Sequence, residues 1–182
     1  MKHSFKLLLA LAIIFTLLFG AWASVRIVKA VSFSLGCESY LKRAAGANTV
    51  DMAKTELDRA IAYAEQHGLT EGVVSIFVRN PANDIGFWYR NLKAASDEIG
   101  GLPADTTPLE KTNVLMKLRE SLTDRDNGNT QVVHPFGISV YPDNSLYFAW
   151  AAVSLAGLCV FWSLFIVFIS KQYLARHKES QV

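Results

Sequence analysis

Read only for hydrophobic and polar positions, the chain is two unbroken apolar runs with a mixed, periodic segment between them. Leu146 to Ser170 is 25 residues without one Asp, Glu, Lys, Arg or His. As a helix at ~1.5 Å per residue it reaches about 37 Å, more than the ~30 Å hydrocarbon core of a bilayer. Leu7 to Val25 is a second charge-free run of 19 residues. The pattern predicts a membrane protein with two spans.

The first run has two readings. Lys2 and Lys6, the apolar centre Leu7 to Phe19 and the small-residue site Ala21-Trp22-Ala23 together match a signal peptide cleaved after Ala23. The apolar positions continue, however, through Val25, Ile27, Val28, Val31 and Phe33, as an uncleaved anchor running on into the next segment requires. The anchor is the favoured reading, and both readings export the middle segment. Lys171, Arg176 and Lys178 come directly after the second run, while Asp126 to Ser145 carries no Lys or Arg. The positive-inside bias therefore puts both termini in the cytoplasm and the middle segment outside. The expected layout is an anchor over 1–25, an extracytoplasmic domain over 26–145, a spanning helix over 146–170 and a tail over 171–182. The expected location is the inner (plasma) membrane, multi-pass.

The middle segment, 120 residues, is the size of one domain. Its pattern is helical. From Arg26 to about Ala45 only Gly36 interrupts a helix continuing the anchor. Asn48 is placed to cap a second helix, whose stripe is Val50, Ala53, Leu57, Ala60 or Ile61, and Ala64, with a stop at Gly68. Asp84 caps a third over Ile85 to Ile99, ending at Gly100-Gly101. Thr107-Pro108-Leu109-Glu110 is a capping box opening a fourth, with Leu115, Leu118 and Leu122 as its stripe and Asp126-Asn127-Gly128 as its stop. Gly72 to Val78 is β-branched and aromatic, fitting either a short strand or a buried helical turn, and Val132 to Tyr141 reads as extended. The fold class is mainly α: two transmembrane helices flanking an extracytoplasmic helical bundle, with room for a small two-stranded β ribbon.

Charge and chemistry narrow the function. The middle segment holds 13 of the 18 Lys and Arg and 15 of the 16 Asp and Glu, a net of −2, so no basic face calls for nucleic acid. Its histidines are His67 and His134 and its one cysteine is Cys37, with no metal-ligand spacing among them. The sequence offers no G-x-S-x-G elbow and no phosphate-binding glycine loop. The expectation is a protein without catalytic residues, cofactor or metal. Ser34-Leu35-Gly36-Cys37 has no Leu three residues before the Cys, and the apolar core lies too far upstream for a lipoprotein signal, while Cys159 lies mid-span. That leaves Cys37 either free, as a buried small residue in a helix, or bridged to another chain.

Two clusters stand out as candidate contacts. Phe87-Trp88-Tyr89 with Arg90 spreads three aromatic rings over about 200° of a helix, more than a core stripe needs. Trp88, Tyr89 and Arg90 are the types enriched at binding hot spots, which makes them a candidate partner contact. The plainer alternative puts Phe87 and Trp88 in the core and Tyr89 at its rim. On the second run Ala149, Ala152, Ala156, Cys159 and Ser163 recur at steps of three and four, a candidate packing seam for Thr16, Gly20 and Ser24 of the first.

The phrases Cys37-Glu-Ser-Tyr-Leu-Lys-Arg-Ala-Ala and Asp84-Ile-Gly-Phe-Trp-Tyr-Arg-Asn-Leu-Lys93 resemble a family of uncharacterised bacterial proteins with two membrane spans and an extracytoplasmic helical domain. The resemblance implies no activity. Two classes of function fit: an accessory subunit binding other membrane proteins or a second copy of itself, or a ligand sensor working through a separate partner. The 12 residues after the second run are too few for a signalling output, which favours the first.

Overall fold

The computed structural model describes residues 2–126 and 129–179. Met1, the stop expected at Asn127-Gly128 and the last three residues of the expected tail lie outside the described residues. The chain is mainly helical, at 77%, with a small two-stranded antiparallel sheet. It forms two compact units, one of Met1–Ile27 with Ser145–Val182 and one of Val28–Asn144.

The domain unit, Val28–Asn144, follows from its caps. α1 (Lys2–Phe33) passes through a π-helical turn, Ser34–Glu38, into α2 (Ser39–Ala45). Gly36 sits in that turn without ending the helix. A Cβ there would run into the Tyr63 ring, so glycine is required by the approach of this segment to α3 (Val50–Gln66). Cys37 beside it is fully buried, its Sγ 3.8 Å from the Ala60 carbonyl. Burial, with the charge of Glu38, pushes this thiol up to about 12, so it is inert.

α3 is capped by Thr49 rather than by Asn48. Thr49 has the extended backbone a cap needs, and its hydroxyl accepts from the Met52 N–H. The stripe Ala53, Leu57, Ala60, Ile61 and Ala64 is buried, and Gly68 ends the element at φ +67°. α4 (Ile85–Gly100) starts at Asp84, which accepts from the Phe87 N–H at 2.8 Å. α5 (Pro108–Leu122) has the reciprocal capping box of Thr107 and Glu110. The hydrogen bonds from the Thr107 hydroxyl and N–H hold the Glu110 carboxyl below its ordinary range.

α5 stops at Leu122, short of the expected Asp126. The next residues, Thr123 to Asp126, have nothing apolar to extend the stripe. They form β1 (Thr123–Asp126), which pairs antiparallel with β2 (Asn129–Val132) in the register Thr123↔Val132. The ribbon therefore lies here rather than at Gly72 to Val78. That stretch is neither strand nor helical turn: only Val73 bridges to Asp84, Val74 is buried, and Ile76, Phe77 and Val78 are exposed. The expected extended segment to Tyr141 contains a 3₁₀ turn, Ile138–Val140, entered through Gly137 at φ +88°. α2 packs on α3, α3 on α4, and α2 also on α5, so α4 and α5 flank the α2–α3 pair.

The other unit pairs the first part of α1 with α6 (Asn144–Glu179). Both helices are long and apolar enough to cross a membrane. Among their partly or fully buried positions are Phe5, Leu8, Ala12, Phe15, Phe19 and Trp22 on α1 and Tyr147, Ala151, Ser154, Leu158, Phe161, Phe165 and Phe168 on α6. Both series advance by alternating threes and fours, the 3.5-residue repeat of helices wound left-handedly. Rings meet in layers: Phe15 on Phe161 and Phe5 on Phe165, each with centroids 5.2 Å apart. Small residues provide the sockets. Ala12 and Ser154 are buried, and a Cβ on Gly157 would run into the Phe15 ring. Three indoles donate across the pair: Trp22 to the Tyr147 carbonyl at 2.9 Å, Trp150 to the Leu18 carbonyl at 3.1 Å, and Trp162 to the Thr16 hydroxyl at 3.0 Å.

This pairing corrects the expected seam. Ala149, Ala152, Ala156, Cys159 and Ser163 are all exposed, as are Gly20 and Ser24, while Thr16 takes part through its hydroxyl alone. The small-residue stripe is two residues out of phase with the buried one, about 200° around the helix at ~100° per residue. A seam built on interlocked rings with a few small sockets fills the space between the helices without that stripe.

Candidate functional site

α4 packs on α3 and α5 mainly on α2, and between α4 and α5 lies a groove of about 540 Å³. Leu92, Ile99, Leu118 and Leu122 form its floor with Trp88. Pro81 and Ala82 close one end together with Val133 to Pro135, and the Glu98–Lys117 pair, at 2.7 Å, edges the other. The volume falls within the ~300–1,000 Å³ typical of ligand sites.

The residues singled out from the sequence are separated by the fold. Trp88 is 6% exposed and lies in the groove wall, its indole donating to the Val133 carbonyl at 3.0 Å. Tyr89 turns to α3, where its hydroxyl donates to Glu65 Oε1 at 2.6 Å. That hydrogen bond raises the Tyr89 phenol above its ordinary range. Arg90 is exposed and outside the groove lining. The three therefore do not form one contact face. Phe87, read alternatively as core, is 49% exposed and belongs to the groove.

Leu92, Ala95, Ile99, Leu118 and Leu122 are legible in sequence only as core stripe. The available signal is the pair of small residues Ala94 and Ala95 on the α4 face, which leaves room where a bundle would put large side chains.

A second cavity of about 640 Å³ lies by the starts of α3 and α5, with Asp51, Lys54 and Lys111 among its lining. Lys54 is engaged: it bonds Asp58 and the buried Ser96, and Ser96 donates to Asp58 at 2.6 Å. Burial alone would raise the Asp58 carboxyl, but the Lys54 and Ser96 hydrogen bonds and the charges of Lys54 and Lys93 bring it below its ordinary range. Among the described residues, no group of three His, Cys, Asp or Glu is placed to hold a metal ion. Comparison with family models, with curated proteins and with solved structures finds no match to this chain.

Proposed function

We propose that the chain is a two-span integral membrane protein, both termini cytoplasmic, whose extracytoplasmic domain is an accessory binding module that works through the groove between α4 and α5. The observation that carries this reading is the groove itself. It is a half-open apolar site of ligand-binding size in the largest folded region of the chain, between two helices that a closed bundle would bring together. The placement relative to the membrane rests on the two apolar helices and on Lys171, Arg176 and Lys178 after the second. Binding, rather than catalysis, is the proposed activity.

Two experiments test it. Reporter fusions at Gly101 and Val182 should report opposite compartments, and an external Val182 would overturn the topology. In living cells, a photo-crosslinking amino acid at Asn91, in the groove, should form adducts that the same group at Lys93, on the opposite face of α4, does not. Absence of any selective adduct would overturn the groove as the binding site.

A further inference from the structure

We infer that the end of the helix pair carrying Lys6 and Lys171 binds the headgroup of an anionic phospholipid; the inference rests on the two apolar helices spanning a membrane. Charge is the first ground. Outside 26–145 the chain has five cations, Lys2, Lys6, Lys171, Arg176 and Lys178, against one acid, Glu179. All five belong to the pair itself, Lys2 and Lys6 to α1 and the other three to α6. No carboxylate is placed to neutralise Lys6 or Lys171. The first acid after Lys6 is Glu38, 32 residues on, and Glu179 comes eight residues after Lys171, about two helical turns. Among the described residues no ion pair involves either lysine, and both are exposed.

Depth is the second ground. Phe5, directly before Lys6, meets Phe165 and Phe168 of α6, with ring centroids 5.2 and 6.1 Å apart. Lys6 is therefore level with the charge-free run of α6 and short of Lys171, the first charge after that run. Leu164, Ile166, Val167 and Ile169 in the same turns are exposed, as on a helix that faces hydrocarbon. A lysine at this level lays its stem along apolar surface and carries its ammonium outward to the headgroups. The anion it meets there is a lipid phosphodiester.

Spacing is the third ground. Lys2 and Lys6 are four residues apart, and Lys171 and Lys178 seven, so each two share a helix face. Cations grouped in this way beside a membrane surface attract a headgroup of net negative charge. In a zwitterionic headgroup the lipid's own cation offsets that attraction. Phosphatidylglycerol therefore fits this end of the pair, and phosphatidylcholine does not.

The test uses the full chain reconstituted in phosphatidylcholine vesicles with a trace of spin-labelled phosphatidylglycerol or spin-labelled phosphatidylcholine. Electron paramagnetic resonance reads the fraction of each label immobilised on the protein. The phosphatidylglycerol label should be favoured several-fold, and Lys6→Gln with Lys171→Gln should bring it down to the phosphatidylcholine level. Lys6→Arg, which keeps the charge, should retain the preference, as should Arg26→Gln with Lys29→Gln on the other side of the apolar run of α1. Thermal unfolding of each variant verifies its fold. Equal immobilisation of the two labels by the unaltered chain overturns the inference, and so does a preference that survives Lys6→Gln with Lys171→Gln. Displacement of the phosphatidylglycerol label by inorganic phosphate at constant ionic strength also overturns it, because the site then takes the free anion. Resistance of the chain to alkaline extraction from the vesicles, with no lipid preference, removes the headgroup site and leaves the spanning helices. Release by alkaline extraction removes both.

Discussion

The helix pair and the domain bury side chains under opposite conditions, and the contrast explains which faces could be read in advance. In the domain, water distinguishes inside from outside. α3 has one apolar stripe, and Ala53, Leu57, Ala60, Ile61 and Ala64 are the residues it buries. In the pair of long apolar helices every face is apolar, so hydropathy does not select one. The buried face is chosen by shape, with Ala12, Ser154 and Gly157 as sockets among interlocking aromatic rings.

The largest expected effect is in the domain. Leu57 is fully buried on α3, and Leu57→Ala should lower the domain's stability by about 3 kcal/mol, read from denaturant unfolding of the reconstituted protein. A loss under about 1 kcal/mol would mean that this stripe is not the core. Next comes the shape rule. Gly157→Leu puts a side chain into the Phe15 ring and should weaken pairing of the two helices by about 2 kcal/mol, read from disulfide crosslinking between Cys introduced on each. Ala152→Leu with Ala156→Leu, on the exposed stripe, should leave that crosslinking unchanged. The opposite ranking would return the seam to the small-residue stripe.

Smaller effects sharpen the reading of the helix ends. Thr49→Ala removes the hydroxyl that accepts from Met52 and should cost about 1 kcal/mol, whereas Asn48→Ala should cost a few tenths. Equal costs would return the cap to Asn48. The smallest effect is at Asp58. A carboxyl held below its ordinary value stabilises the fold above its unfolded pKa, and that contribution drains as pH falls through the folded value. Stability should therefore decline below pH ~4, more gently in Ser96→Ala, which lacks one of the hydrogen bonds holding Asp58 down. Superimposable pH profiles would show that the cluster is electrostatically idle.

The starts of α4 and α5 are readable in sequence because caps are local: Asp84 and Thr107 each satisfy N–H groups within three residues. The same logic misplaces the α3 cap by one residue, since Asn48 and Thr49 are both capping types and only the backbone separates them. The end of α5 escapes it because Thr123 is extended and its partner Val132 lies nine positions on, a pairing no helical period encodes. Of the candidate contact, Trp88 reaches the groove while Tyr89 turns to Glu65 and Arg90 to the surface. The groove lies between two helices resting mainly on different neighbours, a tertiary relation that leaves only a faint trace, Ala94 and Ala95, in sequence.

The most direct test of the central claim, a groove-bearing domain outside the membrane between two spans, is labelling of intact cells with an impermeant maleimide. Cys37 is buried and its thiol is pushed up to about 12, so the domain adds no background. Asn91→Cys should label in intact cells, Cys159 should stay unlabelled within the lipid, and Gln181→Cys should label only after permeabilisation. Labelling of Gln181→Cys in intact cells, or of Cys159 as fast as Asn91→Cys, would contradict the account.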